Sequence, residues 1–183
     1  IDYNSSNDSM SEQEAAATLL ELLTDATRIR LRSDVPVGAY LSGGLDSTVI
    51  TALIKKVSVS RLKTFSISFD DKEFDESGFQ QEASGFLQTD HHAVRCSAQD
   101  IGHVFPDVIW HTEKPILRTA PAPLFLLSKL VREQGYKVVL TGEGSDEMLG
   151  GYDIFKEAKI RKFWNAFPES KIRPLLLKRL YPY

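Results

Sequence analysis

The sequence predicts an α/β domain, a parallel sheet with helices on both faces. Short apolar runs alternate along the chain with longer stretches of helical periodicity, and strands separated by helices pair in parallel. Two of those runs, at 35–41 and 137–141, stop at glycine turns. Such turns lie at the carboxyl edge of a parallel sheet, where open α/β folds bind ligands. No internal repeat interrupts the alternation.

Residues 1–11 read as a linker, polar and rich in Asn, Ser and Asp at 4–9. Ser11-Glu12-Gln13-Glu14 has the form of a capping box and opens a helix to about Arg32, with Leu19, Leu22, Leu23, Ala26 and Ile29 on one face. A strand at 37–41 is followed by a helix to about Lys56, and a second strand at 62–69 by a helix at 76–87. A third strand falls around 92–95. Helices near 98–110 and 123–134 then lead to the strand at 137–141. The domain so defined spans 12–152. Residues 153–183 interleave Phe155, Phe163, Trp164, Phe167, Leu175, Leu176, Leu177 and Leu180 with lysines and arginines, and read as amphipathic helices of the same domain, covering the sheet or a neighbour. A nucleic-acid surface is the other reading of a basic aromatic stretch, and the acidic loop just upstream argues against it.

The chemistry concentrates in the two glycine turns. Ser42-Gly43-Gly44-Leu45-Asp46-Ser47 follows the first strand and runs into a helix. The first N–H groups of a helix lack intrahelical partners and the helix dipole favours negative charge there, so strand, glycine turn and helix start make an anion site. No Gly-x-x-x-x-Gly-Lys string and no Gly-x-Gly-x-x-Gly string occurs here, which excludes a Walker A loop and a dinucleotide fingerprint. Asp46 instead sits in the turn. A carboxylate beside an anion calls for a bridging cation, and Mg²⁺ commonly joins carboxylates to phosphate oxygens. The second turn, Thr141-Gly142-Glu143-Gly144-Ser145-Asp146-Glu147, packs three carboxylates into five residues and continues to Gly150-Gly151-Tyr152. Three such acids need a metal or a cationic partner in a dry site.

Bulk properties bound the class. A chain of 183 residues with 42% hydrophobic content buries the core of one ordinary domain. A net charge of −3 and a pI near 5.8 argue against a nucleic-acid platform. The single cysteine, Cys96, excludes an internal disulfide framework and a Cys-rich zinc site, and His91-His92 read as strand-edge residues. The apolar runs fall short of the ~20 residues of a membrane span, and the first residues lack a signal-peptide core. The expected compartment is the cytoplasm, with no nucleic-acid and no membrane partner.

Ser-Gly-Gly-x-Asp-Ser at 42–47 resembles the PP-loop of ATP pyrophosphatases, whose relatives include NAD, GMP and argininosuccinate synthetases and tRNA-modifying enzymes. The second motif at 141–152, with Arg32-Ser33-Asp34-Val35-Pro36-Val37-Gly38, Thr64-Phe65-Ser66-Ile67-Ser68-Phe69 and Asp75-Glu76, resembles the synthetase domain of class B, glutamine-hydrolysing asparagine synthetases. The resemblance runs from about Arg28 to about Lys156 and implies the adenine nucleotide alpha hydrolase-like (PP-loop) fold. It implies ATP and Mg²⁺ as cofactors, aspartate and ammonia as substrates, and AMP and pyrophosphate as products. It implies that Ser42, Gly43, Gly44, Asp46 and Ser47 hold pyrophosphate, that Asp46 and Asp146 hold Mg²⁺, and that Leu41 and Ile67 flank adenine. Thr141 and Gly142 would contribute backbone contacts, Glu143 would meet the acyl-adenylate and the amine, and Arg118 would bind the substrate carboxylate. Against the family pattern, the segment 111–120 is short, no glutaminase nucleophile stands at residue 1, and the chain ends before the family's later lysine. The expectation is therefore a C-terminally truncated, inactive piece of a longer protein, homodimeric when whole. A nucleotide-binding module, or a β-lactam synthetase-like enzyme acting on another carboxylate, are the alternatives.

Overall fold

The structure, a computed structural model, describes residues 10–181. The expected linker at 1–11 therefore falls almost wholly outside the described residues. The chain divides into two compact units after Gly142.

In the first unit, α1 (Glu12–Arg30) starts at Ser11. The Ser11 N–H donates to the Glu14 carboxylate at 2.8 Å and the Glu14 N–H donates to Ser11 Oγ at 3.3 Å, which completes the expected capping box. Such a cap contributes about 1 kcal/mol. The apolar stripe expected along α1 is not a buried face. Leu22 is 64% and Ile29 50% exposed, and the buried residue of the helix is Thr27. Helix α1 rests on α2 (Leu45–Val57), and one helical neighbour shields only part of a wide stripe. Leu31, just past the helix end, completes the contact by packing on Ala39, Ile54 and Leu62.

Strands β1 (Val37–Tyr40), β2 (Lys63–Phe69), β3 (Asp90–Cys96) and β4 (Val138–Leu140) form one parallel sheet in the order β3-β2-β1-β4. Strand β3 begins earlier than its apolar letters suggest, because Asp90 and His91 already pair in register with Lys63 and Thr64. Side chains alternate across each strand. Ala39 and Leu140 therefore join Ile54 of α2, while Tyr40, Val139 and Phe65 join Leu127, Leu130 and Val131 of α5 (Pro121–Glu133). Both faces of the sheet are covered, as the alternation predicted. Burying a side chain such as Phe65 contributes roughly 1.5–3 kcal/mol. Strand order runs from β1 to β2 and β3 on one side and to β4 on the other. The carboxyl ends of β1 and β4 are thus neighbours at the point where the order reverses, the usual ligand crevice of such sheets.

Helix α3 (Ser77–Leu87) is tied to the end of β2 by Asp75. Its Oδ1 accepts from Phe69 N–H at 3.2 Å and Ser77 N–H at 3.3 Å, and its Oδ2 from Ser77 Oγ at 2.7 Å. The Ser77 hydroxyl is the main cause of an Asp75 pKa below the ordinary carboxylate value. Helix α4 (Ala98–Thr112) carries a second capping box, between Ser97 and Asp100, that the sequence reading did not single out.

The second unit, residues 143–183, holds α6 (Ser145–Leu149), α7 (Asp153–Asn165) and α8 (Leu175–Leu180). Helices form in the basic aromatic tail as expected, and α7 and α8 pack on each other. Tyr181 donates to Glu157 at 2.8 Å, and the Arg173 guanidinium lies 4.0 Å from the ring centres of both Phe163 and Phe167. Among the described residues no helix is long and apolar enough to cross a membrane.

A polar chain crosses the α3 side of β2 and β3. Ser66 Oγ donates to Gln80 Oε1 at 2.8 Å, so the 3.0 Å contact between Ser66 Oγ and His91 Nε2 needs the proton on the ring nitrogen. His91 Nδ1 lies 2.9 Å from Thr64 Oγ1, which in turn lies 2.8 Å from Thr89 Oγ1. Burial, and then the neighbouring His92, hold the His91 pKa below its ordinary 6.5. The unfolded chain therefore binds the proton more readily. The stability this supplies is fully present above pH 6.5 and is lost as pH falls through the lowered folded value. The urea midpoint should fall between pH 7.5 and 5.5, and His91→Gln, which cannot titrate, should reduce that fall. An equal fall in the variant would assign the acid sensitivity to other groups.

Candidate nucleotide site

The first unit builds the site around the start of α2. Leu41 follows β1 and is fully buried, its N–H donating to the Phe65 carbonyl at 2.9 Å. The chain then turns. Gly43 has φ of +85°, a left-handed conformation that favours glycine. A Cβ there would also lie 2.7 Å from the Phe79 backbone carbon and 2.8 Å from the Gln80 nitrogen. Gly44 is the N-cap of α2 and brings no capping side chain. The first-turn N–H groups are left for an outside acceptor, at the positive end of a 13-residue helix.

Hydroxyls hold the turn's shape. Ser47 Oγ donates to the Gly44 carbonyl at 3.2 Å and accepts from the Ser42 N–H at 3.2 Å. Ser42 Oγ lies 2.9 Å from Ser47 Oγ and accepts from the Gly44 N–H at 3.2 Å. Thr48 Oγ1 donates to the same Gly44 carbonyl at 2.7 Å. Ser47 is buried and Ser42 is exposed, so Ser47 braces the loop while Ser42 faces solvent. Asp46 is half-buried in the first turn of α2.

The β4 end closes on this loop from the side. A Cβ on Gly142 would lie 2.9 Å from the Ser47 nitrogen and 3.0 Å from both the carbonyl carbon and Cβ of Asp46. Thr141-Gly142 therefore runs in backbone contact with the start of α2. Ile67 is half-buried on β2 near its carboxyl end. Ser42, Gly43, Gly44, Asp46, Ser47 and Gly142 are thus brought together. Leu41 stands behind them with its side chain in the core. Arg118 is exposed in the segment between α4 and α5, and among the described residues no ion pair joins it to the loop.

In the second unit, Gly144 has φ of +93° and caps α6, whose first turn carries Asp146 and Glu147. A side chain on Gly151 would overlap the Asp146 carboxylate, so the glycine there keeps room around that acid. The Asp146 carbonyl accepts from the N–H groups of Gly150 at 3.0 Å and Gly151 at 3.1 Å. Tyr152 donates to Glu147 at 3.0 Å, which raises the phenol's pKa. Glu143 is exposed at the start of the segment.

Sequence reading missed the supports behind the loop, Phe79 and Gln80 of α3 and the His91 chain. One signal was present: in Thr64-Phe65-Ser66-Ile67-Ser68-Phe69 a hydroxyl recurs at every second residue, which marks a polar face on a buried strand.

An uncapped helix start after a lysine-free glycine turn, at the strand-order reversal of a parallel sheet, defines the chain as a PP-loop α/β protein. A solved NH3-dependent NAD synthetase from Campylobacter jejuni subsp. jejuni shares this fold, with a TM-score of 0.50 and 16% identity over 74% of this chain and 60% of that one. The family model for asparagine synthase matches residues 18–182, and the chain belongs to that family. It is 33% identical to asparagine synthetase B [glutamine-hydrolyzing] of Escherichia coli K12, over 99% of this chain and 34% of the relative. It is 32% identical to asparagine synthetase [glutamine-hydrolyzing] 1 of Bacillus subtilis 168, over 91% of this chain and 26% of the relative. Amidase chyE of Penicillium rubens is 36% identical over 91% of this chain and 27% of its own length. The chain thus spans between a quarter and a third of these relatives.

Because Gly142 abuts backbone atoms rather than a flexible side chain, Gly142→Ala must push the β4 turn away from α2. Nucleotide affinity should fall at least about tenfold, while Gly102→Ala, where nothing lies within 4 Å, should be silent. Calorimetric titration with ATP reads the difference, and equal affinity in both variants would show that the close approach is not needed.

Proposed function

We propose that the chain is the adenylating part of an amide-forming enzyme, taking the side-chain carboxylate of aspartate, ATP and ammonia to asparagine, AMP and pyrophosphate. The supporting observation is the uncapped start of α2 behind a loop without lysine, in a member of the asparagine synthase family. A loop of this form grips the terminal phosphates, so the bond to be broken is the one between the α-phosphorus and the oxygen of the leaving pyrophosphate.

In the reading, N–H groups of Gly43 to Ser47 and the Ser42 hydroxyl bind the β,γ-phosphates, with the buried Ser47 hydroxyl bracing the loop rather than donating to them as the motif implied, and Ile67 and the main chain at Leu41 border the adenine. Thr141 and Gly142 add main-chain contacts. Asp46 and Asp146 are assigned to Mg²⁺ by their chemistry, as carboxylate oxygen donors in the turns that follow β1 and β4. The ion, when bound, neutralises charge on the phosphate oxygens. Arg118 is assigned to the substrate carboxylate, whose geometry its fork matches. A carboxylate oxygen of the substrate attacks the α-phosphorus and pyrophosphate departs. Ammonia then attacks the acyl carbon, the bond to AMP breaks, and Glu143 accepts the proton released by the nitrogen. Glutamine is the proposed ammonia source, supplied by a glutaminase of the kind named in the relatives. The match to amidase chyE favours a second reading, in which the same adenylation serves a different carboxylate.

Products separate these possibilities. ATP should yield AMP and pyrophosphate, and ADP with phosphate would overturn the adenylation. Of the acids offered, aspartate should stimulate pyrophosphate exchange, and another acid doing so alone would favour the second reading. Asp46→Ala should abolish most of the Mg²⁺ dependence of ATP binding, and an unchanged dependence would remove it from the metal site. Glu143→Gln should lower amide formation by about 10²–10⁴-fold with ATP affinity nearly constant. Wild-type turnover in that variant would make Glu143 a solvated loop residue.

A further inference from the structure

The β1–β2 ladder ends early, and a side chain continues it. Leu41 N–H donates to the Phe65 carbonyl. In a parallel ladder the next bond on that edge comes two residues later, from Gly43 N–H to the Ile67 carbonyl. Gly43 has instead turned away with φ of +85°. The Ile67 carbonyl accepts from Gln80 Nε2 at 2.8 Å, so the Gln80 amide stands where the strand would have been. Gln80 is 3% exposed, and its Oε1 is held by Ser66 Oγ within the His91 chain. The main chain of the same residue backs the loop: its nitrogen, with the Phe79 backbone, fills the space a Gly43 side chain would need.

We infer that Gln80 is a positioning residue for the nucleotide, fixing the end of β2 at Ile67 and the Ser42 loop at Gly43 relative to one another. The inference rests on the proposal that this loop binds the phosphates of ATP. It adds that the distance between the phosphate cradle and the adenine edge is set from behind by one buried amide, braced in turn by Ser66 and the neutral His91. Gln80 touches no ligand. Its effect is on the spacing of groups that do.

Calorimetry with Mg-ATP on the protein and two variants tests this, with thermal melting alongside. Gln80→Met keeps the side chain's length and removes both hydrogen bonds. Thr64→Val removes a hydroxyl at the far end of the same chain, beside His91 and away from Ile67. Both should melt lower than wild type. Only Gln80→Met should bind ATP more weakly, by about tenfold, the worth of one well-placed hydrogen bond. Gln80→Asn, which keeps the amide but shortens its reach, should show the same loss and serves if the Met variant does not fold. Wild-type ATP affinity in the folded Gln80 variant would overturn the inference, as would equal losses in Gln80→Met and Thr64→Val. Absence of ATP binding by the unaltered protein would overturn the phosphate-loop reading itself, and the inference with it.

Discussion

Contact between main chains, with no side chain between them, is the constraint on which the site depends. The start of α2 is approached from one side by the β4 turn at Gly142 and from the other by α3 at Phe79 and Gln80, against Gly43. Either glycine replaced by a larger residue forces apart elements that are in main-chain contact. The two approaches follow from topology. β1 and β4 are adjacent and parallel, so the turns after them meet, and β2 leads directly into the helix that backs the loop.

Electrostatics then give the loop its chemical preference. The N-terminus of α2 offers unsatisfied N–H groups and a positive dipole end, with no lysine in the loop to add a full charge. Asp46, half-buried in the same turn, opposes an anion unless a cation lies between them. Under the proposed function, a site of this composition favours a metal-complexed polyphosphate over a bare anion. Serine and threonine hydroxyls satisfy the loop's own carbonyl at Gly44.

Much of this was legible in the letters. The apolar runs and glycine turns located the strands within a residue or two, and Ser11-Glu12-Gln13-Glu14 marked the first helix start that the structure confirms. Motif letters named the loop residues because a glycine turn between strand and helix has few alternatives. The failures share a cause, since a sequence shows which residues are apolar but not what covers them. The α1 stripe is amphipathic, yet Leu22 and Ile29 stay largely exposed, while Thr27 is buried. His91 looked like an edge residue and does lie on edge strand β3, yet hydrogen bonds to two hydroxyls of β2 draw it into a polar interior. Gln80 carried no local signal at all, because its importance comes from a ladder position left open by a turn far away in sequence.

The central claim is that the turn after β1 holds the pyrophosphate end of the nucleotide. Amide hydrogen exchange across residues 42–48, followed with Mg-pyrophosphate and separately with AMP, addresses it most directly. Mg-pyrophosphate alone should slow exchange at Gly43 to Ser47, and AMP alone should leave those amides unchanged. Protection of these amides by AMP but not by Mg-pyrophosphate, or no protection by Mg-pyrophosphate at saturating concentration, would contradict the account.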